Sequence, residues 1–185
     1  MTCNPKPKTL FKERAVFLDR DGVINKVVFR DGRPTSPRTL EEFVFNDGIR
    51  QTTRELRDYG FRIIVVSNQP DVARGQITQG ILDLMTQKMR WELPLDDVYI
   101  CPHDDYHECS CRKPKPGMLI QAAEKWKIDL ASSFLIGDTW KDIEAGKAAG
   151  CKTILLDALY NQDIQCDFRV NSLSEAVSVI LNLTS

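Results

Sequence analysis

Two carboxylates follow a short apolar run near the start of the chain. Asp19 and Asp21 come directly after residues 15–18, in the sequence Asp-Arg-Asp-Gly. A run this short, apolar and partly β-branched is typical of a buried strand, and ligands of open α/β sheets bind just beyond the carboxyl ends of the strands. Because residues two apart point the same way along a strand, the two acids repel each other unless a cation lies between them. The pattern indicates a site for a hard divalent ion such as Mg²⁺, although Asp and Gly are also common in turns.

Polar side chains follow two later strands as well. Ser67 comes after the predicted strand at residues 61–66, and Asp138 follows the one at 134–136. Taken alone, the serine is typical of a turn and the aspartate of a helix cap. Because the carboxyl ends of parallel strands meet at one edge of a sheet, we expect both residues to join the first two acids there.

This combination of groups suits phosphoryl transfer. A divalent ion and a lysine, either Lys113 or Lys115, would offset the charge of a phosphate that otherwise repels an attacking carboxylate. A carboxylate can attack phosphorus and form an aspartyl phosphate, which divides one difficult step into two. A second acid can then donate a proton to the leaving oxygen and accept one from the hydrolytic water.

Three cysteines and a histidine form a second candidate site. They lie within eleven residues and are Cys101, His103, Cys109 and Cys111. The set matches a tetrahedral zinc site with three sulfur ligands and one nitrogen, and so tight a cluster favours a metal over disulfides. A reduced cysteine cluster with a chance histidine is the alternative, and His107 could compete with His103 as the ligand. A closed site of this kind cannot activate water, so we expect the zinc to be structural and to fix the loop at residues 101–113.

Strands alternate with helices along the chain. Apolar runs predict strands at 15–18, 61–66, 98–100, 134–136 and 153–156. Helices are predicted at 47–59, capped by Asp47, and at 78–93, 117–127, 142–149 and 172–183. The alternation predicts a doubly wound, mainly parallel α/β sheet with helices on both faces. We expect a single domain over residues 1–185 with a flexible tail at 1–13 and no separate cap domain, and residues 26–38 as a long loop without structure of its own.

The composition narrows the class of protein. The chain has 185 residues, of which 42% are hydrophobic, with 25 basic and 26 acidic side chains and a formal net charge of -1. This balance predicts no general affinity for nucleic acid or for an anionic membrane, and no apolar run is long enough to span a bilayer. Residues 1–14 lack the apolar segment of a secretory signal. We expect a monomeric cytoplasmic protein whose partner is a small molecule.

Four motifs in order resemble the haloacid dehalogenase superfamily. They are Asp19-Arg20-Asp21-Gly22-Val23, Ser67-Asn68-Gln69, Arg112-Lys113-Pro114, and Gly137-Asp138-Thr139 with Asp142. The similarity covers about residues 15–157. It implies a Mg²⁺-dependent phosphatase that forms an aspartyl phosphate.

The resemblance also implies a role for each motif residue. Asp19 would be the nucleophile and Asp21 the general acid and base. Ser67 and Lys113 would anchor the phosphate, with Asn68 and Arg112 as further substrate-binding residues. Mg²⁺ would be bound by Asp19, Asp138 and the backbone carbonyl of Asp21. Asp142 would support the site or cap the following helix rather than bind the metal.

The zinc loop resembles a subgroup of the superfamily. This subgroup contains the D-glycero-D-manno-heptose 1,7-bisphosphate 7-phosphatases and the histidinol-phosphate phosphatases. Residues 72–75 and 112–118 are more similar to the heptose enzymes, whereas the short loop between His103 and Cys109 is similar to the histidinol-phosphate enzymes. We therefore expect the 7-phosphate of the heptose bisphosphate as substrate, with histidinol phosphate or another small sugar phosphate as the alternative. Arg112 is the leading candidate for binding the second phosphate, ahead of Arg74 and Arg30.

Two other classes of protein share part of this pattern. A phospho-accepting signalling receiver also combines clustered acids, Mg²⁺, a hydroxyl and a lysine, but it needs neither Asp21 nor a zinc loop. A zinc-dependent nucleic-acid module needs basic and aromatic residues around its loop, whereas Asp104, Asp105 and Glu108 are acidic. The sequence favours the phosphatase over both.

Overall fold

A central parallel sheet organises the chain in the computed structural model, which describes residues 12–184. The strands are β1 (Arg14–Leu18), β2 (Val28–Arg30), β3 (Arg33–Thr35), β4 (Phe61–Asn68), β5 (Asp97–Cys101), β6 (Phe134–Gly137), β7 (Lys152–Leu156) and β8 (Phe168–Val170). The helices are α1 (Ile49–Asp58), α2 (Gln79–Glu92), α3 (Gly117–Trp126), α4 (Trp140–Ala149) and α5 (Leu173–Asn182). Six strands form the sheet in the order β5-β4-β1-β6-β7-β8, and every pairing in it is parallel.

The core lies on both faces of this sheet. Val16 and Leu18 of β1 pack into one apolar layer with residues of α1, α2 and α5. Ala15 and Phe17 point to the opposite face and pack with residues of α3 and α4. Because β1 is central and covered on both sides, it needs apolar residues at every position, which explains its unbroken apolar run. The predicted doubly wound α/β class is confirmed.

The sheet brings three carboxyl ends together. Leu18 at the end of β1 is in register with Val65 of β4 and with Ile136 of β6. The backbone N–H of Asp19 donates to the carbonyl of Ile136 in β6 at 2.9 Å, so the first acid lies directly beyond the end of β1. The predicted convergence of strand ends is therefore found in the structure.

The prediction of an unstructured loop at residues 26–38 is wrong, because β2 and β3 form an antiparallel hairpin there. Its two turn residues, Asp31 and Gly32, both have positive φ, at 50° and 72°. An Asp-Gly pair favours the type I′ turn, which needs positive φ at both positions. The sequence contains this Asp-Gly signal for a hairpin, but Pro34 and Pro37 nearby favour a loop instead. The edge strand β8 is a further strand that the apolar runs do not predict.

Two helix starts differ from the prediction. The N-cap of α1 is Gly48 in the left-handed region, not Asp47. Helix α4 begins at Trp140 with Thr139 as its N-cap, so Asp142 lies in the first turn and forms a capping box with Thr139. Residues 1–11 of the predicted tail lie outside the described residues, whereas Glu13 forms a bridge with Ile128. Over residues 12–184, no helix has the length and apolar character needed to cross a bilayer.

Candidate active site

A cavity of about 370 Å³ opens at the carboxyl ends of β1, β4 and β6. Its lining combines both signs of charge. The acids are Asp19, Asp21, Asp71 and Asp138, and the bases are Arg38, Arg74, Arg112, Lys113 and Lys141. Residues of the β2–β3 hairpin, of the loop at 70–76 and of the zinc loop at 101–113 complete the walls.

The buried ammonium of Lys113 occupies the floor of this cavity. It donates to Asp19 Oδ1 at 2.7 Å, to the carbonyl of Val66 at 2.8 Å, and to Asp142 Oδ1. Burial opposes the charged form, but the carboxylates of Asp142 and Asp19 outweigh it and raise the pKa of Lys113. All three N–H donors are thereby used, so the lysine joins β1, β4 and α4 at one point.

The acids beside this lysine carry excess negative charge. Burial, together with the negative charge of Asp142, raises the pKa of Asp19 to about 7. Burial and the charge of Asp19 also raise the pKa of Asp138 well above its ordinary value. Three carboxylates against one ammonium leave two negative charges without compensation among the residues of this cluster, when all are ionised.

This cluster fits a divalent cation. Oxygen atoms of Asp19, Asp138 and Asp142 lie within 4.8 Å of one another. The Oδ1 atom of Asp138 is buried and has no hydrogen-bond partner within residues 12–184, which is rare for a carboxylate in a protein interior. Carboxylate oxygens are the ligands that Mg²⁺ prefers, so Asp19 and Asp138 can hold it, whereas both oxygens of Asp142 accept hydrogen bonds from Lys113 and Thr139.

Gly22 allows the first motif to approach Asp138 closely. Its φ is +87°, and a Cβ atom at this position would lie 1.9 Å from Asp138 Oδ2. No L side chain fits there without displacing the carboxylate. The glycine after the two acids is therefore required by close packing as well as by the turn.

Asp21 is held by four other side chains. Arg20 forms an ion pair with it at 2.9 Å, and Asn25, Ser36 and Gln69 donate to it at 3.0, 2.7 and 2.8 Å. Burial raises the pKa of Asp21, but Arg20 and these hydrogen bonds outweigh burial and lower it below its ordinary value. The second acid of the motif is thus oriented and ionised.

The predicted substrate-binding residues have different environments. Ser67 is 1% exposed and accepts a hydrogen bond from Gln69 at 2.8 Å. Asn68 lines the cavity, but its amide pairs with the backbone N–H and carbonyl of Lys113 at 3.0 and 2.9 Å. Arg112 also lines the cavity, and it donates to Asp105 at 2.7 Å and to the carbonyl of His103 at 3.0 Å. Arg30 lies on the hairpin, pairs with Glu42 and is not among the lining residues.

The three cysteines and His103 converge as the sequence predicts. The Sγ atoms of Cys101, Cys109 and Cys111 lie 3.2 to 3.6 Å apart, and His103 Nδ1 lies 3.7 and 3.5 Å from those of Cys101 and Cys111. Metal–sulfur bonds of about 2.3 Å in a tetrahedron give separations of about 3.8 Å, close to those observed, so the cluster is compatible with zinc. His107 is not in it, because its Nδ1 accepts from the backbone N–H of Asp104 at 3.1 Å.

Several residues of the site carry no signal in the sequence analysis. Arg20 and Gln69 lie inside the recognised motifs, so adjacency could have suggested them. Ser36 follows the unexpected hairpin. Tyr160 lies in the irregular segment after β7, and its hydroxyl donates to Asp138 Oδ2 at 2.5 Å. Only the folded chain brings these last two residues to the cavity.

Curated relatives share much of the sequence. The D-glycero-beta-D-manno-heptose-1,7-bisphosphate 7-phosphatase of Salmonella typhi is 35% identical over 183 residues, which is 90% of this chain and 94% of that protein. The enzyme of the same name from Escherichia coli strain K12 is 38% identical over 154 residues, or 77% of this chain and 78% of that protein. The HAD-hydrolase-like family model matches residues 110–159.

Solved structures share the fold. The D,D-heptose 1,7-bisphosphate phosphatase of B. bronchiseptica, complexed with magnesium and phosphate, superposes with a TM-score of 0.80 at 25% identity and covers 92% of this chain and 99% of that one. A putative HAD-like phosphatase from Mesorhizobium loti gives a TM-score of 0.75 at 28% identity, covering 93% of this chain and 88% of that one.

Replacing Lys113 by methionine should destabilise the protein strongly. The variant keeps most of the aliphatic volume but leaves Asp19 and Asp142 buried without their cation, and breaking a buried ion pair costs about 3 kcal/mol or more. Urea unfolding without divalent ions measures the loss. Lys147→Met is the matched control, because that lysine is exposed on α4 and should change stability by about 0.5 kcal/mol or less. Equal losses in the two variants would contradict the role given to Lys113.

Proposed function

The chain belongs to the haloacid dehalogenase-like hydrolases, in the family of the D-glycero-beta-D-manno-heptose-1,7-bisphosphate 7-phosphatases, and from that premise we propose that it removes the 7-phosphate of this heptose bisphosphate. One observation carries the proposal. Asp19, Asp138 and Lys113 meet on the floor of one cavity, with Asp142 buried beneath Lys113, and a phosphate and a divalent cation can both be held there.

Asp19 acts first, as the nucleophile. The hydrogen bond from Lys113 fixes its Oδ1 atom at 2.7 Å and leaves the other oxygen to attack phosphorus. The new bond joins that oxygen to phosphorus, and the ester bond from phosphorus to the sugar oxygen breaks. When bound at Asp19 and Asp138, Mg²⁺ supplies positive charge that offsets the negative charge of the phosphoryl oxygens.

Asp21 acts as the general acid in the first step and as the general base in the second. It gives a proton to the departing sugar oxygen and later takes one from the water that attacks the phosphorus of the aspartyl phosphate. That second attack breaks the bond to Asp19 and releases inorganic phosphate. Asp21 is held as a carboxylate in the free protein, so it must gain a proton before the first step. An arriving phosphate raises its pKa by like-charge repulsion, which couples proton uptake to substrate binding.

Substitution of the two acids separates their roles. Asp19→Asn should abolish phosphate release because the amide is not a nucleophile. Asp21→Asn should slow turnover by about 10²- to 10⁴-fold, the usual contribution of proton transfer. Asp163→Asn, at an exposed position, is the control and should turn over normally. Phosphate release from the bisphosphate is the measurement, and near-normal turnover in Asp19→Asn would refute the mechanism.

We propose zinc as the metal of the cysteine cluster. Four soft ligands close the coordination shell, so the ion has a structural role. The loop that it holds carries Lys113 to the cavity floor, and Arg112 fastens the same loop through Asp105 and the carbonyl of His103. Loss of zinc would therefore displace a residue of the catalytic cluster.

Cys109→Ser should remove the zinc and lower turnover together. Elemental analysis of the purified wild type should give about one zinc per chain, as expected for one four-ligand site. Cys166→Ser is the matched control, since that cysteine lies outside the cluster and should leave the zinc content unchanged. A wild type without zinc, or a Cys109→Ser variant with full zinc content, would contradict the assignment.

The charges around the cavity favour a second phosphate over an ammonium group. Histidinol phosphate carries an ammonium, which needs a free carboxylate. Asp104 and Asp105 are the nearest candidates by sequence, but Arg74 holds the first at 2.6 and 2.8 Å and Arg112 holds the second at 2.7 Å. Lys141 lines the cavity and, within residues 12–184, forms no ion pair. Lys141 and the remaining donors of Arg112 can bind the phosphate at carbon 1.

The wild type should show a higher kcat/KM for the heptose bisphosphate than for histidinol phosphate. Arg112→Ala and Lys141→Ala should each lower kcat/KM for the bisphosphate by about ten- to a hundredfold, as expected for the loss of a charge-assisted hydrogen bond worth about 1.5–3 kcal/mol. The heptose 7-monophosphate, which lacks the second anion, should be affected much less.

Zinc content is the control for Arg112→Ala, because this arginine also holds the zinc loop. A wild type that prefers histidinol phosphate would overturn the choice of substrate while leaving the phosphatase chemistry intact. The predictions that the chain is a monomer, that it works in the cytoplasm and that it forms one domain stay predictions from its sequence.

A further inference from the structure

Tyr160 reaches the catalytic cavity from a segment that carries none of the four motifs. It lies in the irregular stretch between β7 and β8 and is among the residues that line the cavity. Its hydroxyl donates to Asp138 Oδ2 at 2.5 Å. On its other side, its ring meets that of Phe29 of the hairpin edge to face, with the centroids 6.3 Å apart.

The two oxygen atoms of Asp138 have unequal environments. Oδ2 is taken by Tyr160 and lies beside Gly22, where the space is too small for any other side chain. Oδ1 is buried and has no partner among the described residues. One oxygen of the carboxylate is thus held while the other is buried without a partner among the described residues, and Asp138 belongs to the cluster with Asp19 and Asp142.

The segment that carries Tyr160 is itself fastened to Asp138. The side-chain amide of Asn161 donates to the backbone carbonyl of Asp138 at 2.8 Å and to that of Leu156 at 2.9 Å. Asn161 is 2% exposed and also accepts from the backbone N–H of Ala158 at 3.0 Å. Tyr160 and Asn161 therefore fix the side chain and the main chain of one residue from the same short segment.

We propose that Tyr160 is a positioning residue for the divalent cation, because its hydroxyl fixes the rotation of the Asp138 carboxylate and directs Oδ1 to the metal. The inference rests on the proposed function only in taking Asp138 as a ligand of Mg²⁺. Hydrogen bonds from neighbouring groups commonly orient ligating carboxylates, and their loss costs about 10- to 100-fold in metal affinity or activity. The competing explanation is that the hydroxyl binds the substrate directly.

Tyr160→Phe removes the hydroxyl and keeps the ring against Phe29. We expect the concentration of Mg²⁺ that gives half of the maximal turnover to rise by about 10- to 100-fold. At saturating Mg²⁺, the KM for the phosphate ester should be unchanged. Tyr59→Phe makes the same chemical change at an exposed position at the end of α1 and should leave both quantities unaltered.

A second measurement needs no substrate. Mg²⁺ alone should raise the Tm of the wild type and of Tyr59→Phe, because it binds the folded state. At the same Mg²⁺ concentration, the rise should be clearly smaller for Tyr160→Phe. The Tm without Mg²⁺ reports separately whether the variant folds normally.

These outcomes distinguish a positioning role of Tyr160 from direct binding of the substrate by its hydroxyl. An equal response of Tyr160→Phe and wild type to Mg²⁺ in both measurements would overturn the positioning role, and a raised KM at saturating Mg²⁺ would assign the hydroxyl to substrate binding. A wild-type Tm that does not respond to Mg²⁺ would also overturn it. A smaller Tm response in Tyr160→Phe, in a protein that fails to hydrolyse the heptose bisphosphate, would support the inference while refuting the proposed substrate.

Discussion

The structure depends on one buried ammonium group that must find three acceptors. Lys113 can be buried only where carboxylates and a carbonyl surround it, and Asp19, Asp142 and Val66 supply them. Asp19 lies directly after β1, Asp142 in the first turn of α4, and Val66 in β4. The need to satisfy one cation therefore sets the separation of three elements that are distant in sequence. The same contacts place Asp19, the nucleophile that we propose, at the floor of the cavity.

Ion pairs between arginines and aspartates connect the loops around the cavity. Arg38, directly after the hairpin, pairs with Asp71 at 3.2 Å, and Arg74 of the same loop pairs with Asp104 of the zinc loop. These pairs are partly exposed, so each contributes little stability alone. Together they join the hairpin, the 70–76 loop and the zinc loop into one rim. A ligand that breaks one of these ion pairs therefore loosens the loops that the other pair connects.

The sequence predicts those parts of the site that follow from local rules. Asp19, Ser67 and Asp138 could be brought together because strand ends in a parallel sheet share an edge, and the cysteine cluster could be found because its ligands lie close in sequence. Asn68 was recognised by its motif, but its pairing with the backbone of Lys113 depends on a contact 45 positions away. Tyr160 lies outside every regular element, where neither periodicity nor spacing gives information.

The zinc loop begins inside the central sheet. Cys101 is the last residue of β5, is fully buried, and is paired with Asn68 of β4. The sheet therefore holds the first of the four proposed zinc ligands, whereas His103, Cys109 and Cys111 lie on the loop beyond it. In small zinc domains the metal supplies the folding energy of the whole unit. Here the sheet would act as a template, so that the zinc we propose would close a loop on a structure already assembled.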